Sequence, residues 1–167
     1  TVGNDKNYLL ENEGFRGIGL HQGGKYDLSF NLENVSGNIS AINISLVDEK
    51  GTVVSSVSNI IKGGGWQKYN AVFNPSKTIE KAKLQITFTG KGVVNMDMIS
   101  LFPQDTWKNR KGGLRKDLVQ KLYDLQPGFL RFPGGCIVEG RTLAERYQWK
   151  KTIGKVEDRE NLINKWN

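Results

Sequence analysis

Apolar and polar residues alternate along six stretches of this chain, 17–20, 25–32, 41–47, 68–73, 83–88 and 94–101. A period of two is that of a strand with one face buried and one wet, so each stretch predicts a half-buried β-strand. Turn chemistry separates them. Gln22-Gly23-Gly24-Lys25 is a hairpin signal, Asp48-Glu49-Lys50-Gly51 a four-residue turn, and Gly63-Gly64-Gly65 and Thr89-Gly90-Lys91-Gly92 further connections. Strands at a spacing near ten residues favour a sandwich or jelly roll over a βαβ fold. The period then changes. Leu114, Leu118, Leu122 and Leu125 form one helical stripe with Val119 beside it, and the charges lie mostly opposite. Pro127 and Gly128 end that helix, Phe129-Leu130-Arg131-Phe132 predicts a short strand, and Pro133-Gly134-Gly135-Cys136 a backbone-exposing turn.

Helix, loop, strand and glycine turn make a piece of an α/β barrel. The predicted class is therefore mainly β: a jelly-roll β-sandwich over residues 1–103, followed over 104–167 by an incomplete α/β segment of a (β/α)8 barrel. A complete barrel takes ~250 residues, so it cannot close within 167. Only the first part is expected to fold independently. Residues at the carboxyl ends of barrel strands face substrate, which makes Arg131, Cys136 and Glu139 candidates for binding or chemistry. Beyond residue 136 the chain is charged and irregular, carrying Trp149, Trp166, Arg141, Arg146 and Arg159. In a complete barrel this stretch is a strand-to-helix loop, where tryptophan and arginine hold sugar.

Several spaced motifs resemble the α-L-arabinofuranosidases of glycoside hydrolase family 51. They are Met98-Ile99-Ser100-Leu101-Phe102-Pro103-Gln104-Asp105-Thr106-Trp107-Lys108, Gly113-Leu114-Arg115-Lys116-Asp117-Leu118, Leu130-Arg131-Phe132-Pro133-Gly134-Gly135-Cys136, Glu139-Gly140 and Trp149-Lys150-Lys151-Thr152-Ile153-Gly154. The resemblance is closest over 97–167, and the part before residue 96 looks more generally like carbohydrate-binding jelly rolls. It implies a fragment of a retaining hydrolase acting on terminal arabinofuranosyl groups of plant arabinan or arabinoxylan. Two carboxylates roughly 5 Å apart do such chemistry without a cofactor. The family's catalytic glutamates lie on later strands, and neither Glu139 nor Glu157 sits in their context, so this chain alone is expected to be inactive. The resemblance likens Arg131 to a strand arginine supporting the nucleophile's carboxylate, and Cys136 to a turn position lining the sugar subsite. It implies a secreted or periplasmic parent, with arabinose-containing polysaccharide and the rest of the barrel as partners.

Sugar-binding modules place aromatic rings against the apolar faces of sugars, so Tyr8, Phe15, Tyr26, Trp66, Tyr69 and Phe73 need sorting into core and surface. Tyr26, Leu28 and Phe30 share one strand face and are expected in the core. Trp66 and His21, with Arg16 and Gln22, are the candidates for a glycan-binding cleft. Asp97 resembles the acidic position from which many such jelly rolls hold a structural calcium ion, whereas one histidine and one cysteine do not make a zinc site. Cys136 is the single cysteine, so no internal disulfide forms.

Charge divides along the same boundary. Residues 1–103 hold ten Lys and Arg against nine Asp and Glu, while 104–167 hold fourteen against eight and carry most of the net +7. Lys108, Arg110, Lys111, Arg115 and Lys116 cluster, but without a reading module or an interleaved aromatic platform they argue against a nucleic-acid interface. A stand-alone carbohydrate-binding module is the first alternative reading, and a basic nucleic-acid interaction domain the second. No transmembrane stretch is visible and no membrane partner is expected. The chain starts at Thr1, so a signal segment removed upstream fits a secreted parent. Asn34, Asn38 and Asn43 each open an Asn-X-Ser sequon, which matters in a glycosylating secretory pathway.

Overall fold

A computed structural model describes residues 1–3, 8–132 and 134–162. Pro133 of the glycine turn and Trp166 lie outside the described residues. The strands are β1 (Leu9–Asn12), β2 (Ile18–Leu20), β3 (Tyr26–Val47), β4 (Val53–Ile60), β5 (Gln67–Phe73) and β6 (Ile79–Pro103), all paired antiparallel in one curled sheet. Helix α1 spans Lys116–Asp124, and short 3-10 turns occupy Trp107–Asn109, Gly135–Val138, Trp149–Thr152 and Val156–Asp158.

The sandwich comes from two long strands that bend together. The first half of β3, residues 26–34, pairs with β5 on one side and with residues 94–103 of β6 on the other. Its second half, residues 39–47, pairs with β4 and with residues 83–90 of β6, β1 flanks that same part of β6, and β2 pairs with the start of β6 at Ile79 and Ala82. Both halves turn their apolar faces to one core. Tyr26, Leu28, Phe30 and Leu32 from one half meet Ile42, Ile44, Leu46 and Ile86 from the other, and Phe30 stacks on Tyr69 with ring centroids 5.2 Å apart. Alternation along β3 therefore runs from Tyr26 to Leu32 and again from Ile42 to Leu46, as a sandwich with one shared interior requires.

Two expected connections fall out differently. The predicted strands 25–32 and 41–47 are one strand, and so are 83–88 and 94–101, because Thr89-Gly90-Lys91-Gly92 is a bend within β6 instead of a turn. Gly37 stands opposite Gly92, and Ile39 opposite Gly90. At each of Gly37, Gly90 and Gly92 a side chain would run into the backbone of the facing strand, and Gly37 and Gly90 have φ of 90° and 108°. Glycine here serves close backbone approach, and the chain continues through it. Strands β1 and β4 escaped the period-two reading, since Leu9–Asn12 is exposed throughout and Val53–Ile60 buries only Val54 fully.

The Asp48 turn forms as its residues predict. The Asp48 carboxylate accepts from Lys50 N (3.0 Å) and Thr52 N (2.8 Å), and Gly51 takes φ 81°. The Lys77 ammonium, 2.8 Å away, is the larger influence holding the Asp48 pKa down to about 2. By its own packing the chain divides after Gln120, into 1–120 and 121–167. Residues 104–115 go with the sandwich for a visible reason. Gln104 N donates to Lys25 O (2.9 Å) and its side chain to Asp27 (2.7 Å), and buried Thr106 bonds to Arg110 O and bridges to Arg115.

The helix forms where the leucine stripe places it, but the stripe is bare. Leu118 is 50 % and Leu122 59 % exposed. Residues 129–132 make no strand, and Phe129, Leu130 and Phe132 stand in solvent. A parallel strand needs a neighbour on each side, and neither neighbour is among the described residues.

Candidate functional site

Residues 121–162 contain the predicted barrel-mouth candidates. Helix α1 ends at Asp124; Gln126 beyond it takes φ 46° and donates to Tyr123 O (3.1 Å), and Pro127 prevents any continuation. The chain then runs extended to Arg131, whose side chain is exposed, and enters a turn where Gly135 has φ 73°. Cys136 is exposed and its carbonyl accepts from Glu139 N (3.2 Å), so the 3-10 turn sets Cys136 and Glu139 one above the other. Glu139 is exposed as well.

A closed loop follows. Tyr147 N donates to Val138 O (3.3 Å), Glu145 N to Thr142 O (3.1 Å) and Arg146 Nη1 to Leu143 O (2.8 Å). Gly140 sits at its centre, where a side chain would lie 2.5 Å from Arg146 N and 2.6 Å from Thr142 O. The Glu-Gly dipeptide thus has a structural reason: only glycine lets the loop close behind Glu139. Inside it, Glu145 Oε2 is buried with no hydrogen-bond partner among the described residues, a carboxylate that sequence reasoning passed over. Trp149, 52 % exposed, opens the next 3-10 turn and its carbonyl accepts from the Thr152 hydroxyl at 2.6 Å.

The sandwich carries the second group of candidates, and the structure does not bring them together. His21 lies in the turn before β3, its N–H on the Tyr26 hydroxyl (2.8 Å), near the end of the sheet where Tyr26 faces Phe73. Trp66 precedes Gln67, which faces Leu32 at the other end of the same pairing. Six residues of strand separate the two ends, roughly 20 Å. Gln22 N is tied to Thr78 Oγ1 (3.0 Å), and Arg16 lies over the exposed Phe15 ring, its guanidinium carbon 5.5 Å from the centroid. Of the six aromatics in question Tyr26, Tyr69 and Phe73 are core, while Tyr8, Phe15 and Trp66 are exposed.

On the outer face of the β5–β3–β6 half, register reveals what the sequence did not, setting Lys68, Asn31 and Asp97 in one row and Asn70, Ser29 and Ser100 in the next. Beyond the first row Glu33 faces Asn95, whose amide donates to the Glu33 carboxylate at 3.0 Å, and the exposed Trp66 immediately precedes Gln67, where the pairing of β5 with β3 ends. Ser29 and Ser100 share a 2.8 Å hydrogen bond. The β3 members of these rows are half-buried, so the face is a polar strip with an indole at one end. Alternation alone marks these residues as outward; which of them stand abreast needed the register.

The Asp97 carboxylate accepts from Met98 N (2.7 Å), and among the described residues no three His, Cys, Asp or Glu gather as metal ligands. The basic cluster is partly spent on acids: Arg115 grips Asp117 through two bonds of 3.1 and 2.6 Å, and Lys116 lies 3.1 Å from Asp105. No helix among the described residues is long and apolar enough to cross a membrane.

Comparison with known proteins decides the family. Residues 121–167 match the model of the α-L-arabinofuranosidase 1 domain. The chain is 36 % identical, over 97 % of its length, to an extracellular exo-α-L-arabinofuranosidase of Streptomyces chartreusis, and 35 % identical over 89 % to α-L-arabinofuranosidase 1 of Arabidopsis thaliana. A solved arabinose-bound α-L-arabinofuranosidase of glycoside hydrolase family 51 superposes on 99 % of the chain with a TM-score of 0.86 and 31 % identity. The chain belongs to the family 51 α-L-arabinofuranosidases. It spans 21 % and 22 % of those two relatives and 28 % of the solved chain. The likeness covers sandwich and barrel start alike, so the sandwich is part of this family's architecture in those relatives.

Proposed function

We propose that the parent of this chain is a retaining α-L-arabinofuranosidase that removes terminal arabinofuranosyl groups from plant arabinan or arabinoxylan outside the cell. The observation that carries this is the near-full-length alignment to proteins of that activity, one of them extracellular by name. In this reading the described chain supplies positioning and binding groups, and the two carboxylates that attack and protonate come from elsewhere in the parent. Arg131 presents a planar pair of donors that hold the nucleophile's carboxylate ionised and aimed. Cys136 and Glu139, stacked on one turn, line the sugar subsite, and Trp149 offers a ring to the sugar's apolar face. The bare leucine stripe of α1 and the exposed Phe129, Leu130 and Phe132 are then surfaces that the remaining barrel covers.

Arabinose release from a chromogenic α-L-arabinofuranoside by the parent enzyme tests the reading, beside Arg131→Lys. The parent is expected to be active and Arg131→Lys to lose most of kcat with little change in KM. The acid limb of kcat/KM should move to higher pH, because a carboxylate without its guanidinium partner is harder to ionise. A folded parent that releases no arabinose refutes the proposal. This chain alone is expected to release none.

The outer sheet face favours a second role, glycan binding by the sandwich. A polar strip ending in an exposed indole pairs hydroxyl-binding groups with a stacking surface, as a neutral polysaccharide requires. Retardation of this chain in gels containing arabinoxylan or arabinan, abolished by Trp66→Ala in a variant with an unchanged melting curve, is the expected outcome. Equal mobility with and without polysaccharide refutes it and leaves the sandwich a structural companion of the barrel.

A further inference from the structure

The three Asn-X-Ser sequons all fall on β3, yet their environments differ. Asn34 is half-buried with its amide nitrogen on Ile39 O (3.4 Å) and its amide oxygen enclosed without a partner among the described residues, so its side chain is committed to the bend. Asn43 is half-buried in the second half of β3, between Ser58 of β4 and Thr87 of β6, with its amide nitrogen 3.5 Å from Thr89 Oγ1. Asn38 stands at the bend itself. Both Asn38 and Ser40 are exposed, Lys91 is the facing residue, and Gly37, Gly90 and Gly92 around it have no side chains to crowd a substituent.

We propose that Asn38 is the N-glycosylation site of this chain, the position at which the folded protein carries an N-linked oligosaccharide when it passes through a glycosylating secretory pathway. The ligand is an N-acetylglucosamine-initiated oligosaccharide delivered as a lipid-pyrophosphate conjugate. The Asn38 amide nitrogen attacks the anomeric carbon, a C–N bond forms and the C–O bond to pyrophosphate breaks. The amide proton is lost to base and the lipid pyrophosphate leaves, with no change of oxidation state. Transfer precedes folding, so all three sequons are presented to the transferase and folding then selects among the products. A glycan on Asn34 breaks the Ile39 contact and has to be housed where the amide oxygen is already enclosed. One on Asn43 has to rise between the side chains of two adjoining strands. A glycan on Asn38 projects from a bend floored by glycines and disturbs neither layer.

The test is secretion of the whole chain from yeast, with an endoglycosidase mobility shift and peptide mapping of glycosylated asparagines in heavy-oxygen water. One glycan is expected, mapped to Asn38 and lost in both Asn38→Gln and Ser40→Ala, with the melting curve of Asn38→Gln unchanged. Ser36→Ala and Ser45→Ala remove the other two sequons without touching Asn34 or Asn43, and both are expected to keep the shift. A shift that survives Ser40→Ala, a glycan mapped to Asn34 or Asn43 on folded secreted protein, or secretion of folded protein without any glycan would overturn the assignment.

Discussion

Replacing Gly90 by alanine tests the device on which the sandwich depends. At Gly90 the backbone has φ 108°, a conformation that L residues rarely adopt, and the new methyl would lie on the Asn38 carbonyl. Holding alanine there costs about 1–3 kcal/mol in backbone strain. Relief by parting the strands gives up one or two ladder hydrogen bonds beside the Ile39–Gly90 pair, at about 1 kcal/mol each. The sum, about 2–5 kcal/mol, is a large share of the 5–15 kcal/mol typical of a whole domain. It corresponds to a fall in Tm of roughly 8–20 °C for a unit of this size. Gly63→Ala is the control, because nothing lies within 4 Å of the added methyl and its φ is not in the left-handed region. That variant should melt within about 2 °C of the parent sequence. Thermal and urea unfolding followed by far-ultraviolet circular dichroism of 1–167 measures both. If Gly90→Ala melts as Gly63→Ala does, the bend does not rest on close backbone approach, and the account of the single long strands is wrong.

Two further outcomes follow from the packing and the turn. Phe30→Ala removes a fully buried ring stacked on Tyr69 and should cost about 3–5 kcal/mol, read as a lower urea midpoint at unchanged slope; a loss under about 1 kcal/mol would mean the core collapses into the gap. Asp48 is held ionised in the folded chain, so the stability it contributes is present above its unfolded pKa of 3.8 and fades as pH falls through about 2. Asp48→Asn should therefore be less stable than the parent sequence at pH 7 and lose less on acidification from pH 4 to pH 2, and parallel acid titrations of the two urea midpoints would contradict this.

Local chemistry made much of the fold legible. Alternation placed Tyr26, Leu28 and Phe30 inward because a strand's side chains have no other option once one face is buried, and the Asp48 turn and α1 follow from residues within a few positions of one another. The Glu139-Gly140 pair was legible too, as part of a spaced motif, and the structure adds the reason for Gly140 in it. Glycine was the ambiguous letter. At Gly90 and Gly92 it signalled a turn by local rules, and only the facing strand shows that it marks a bend within a paired strand, because close backbone approach is a contact between residues some fifty positions apart.

Register decided the rest. His21 and Trp66 look equally suited to a cleft along the chain, but the pairing of β3 with β5 sends them to opposite ends of a sheet. The strand foreseen at 129–132 does not form, since a parallel strand's hydrogen bonds are all made to other strands and none of them lies within the described chain. What the sequence by itself determined about this protein is its periodicities, its turns and its family motifs, which are properties of neighbours along the chain. What only the tertiary structure decided is the joint bend of β3 and β6, the rows on the outer face and the exposure of Asn38 over Asn34 and Asn43, which are properties of distant backbones brought to a few ångströms.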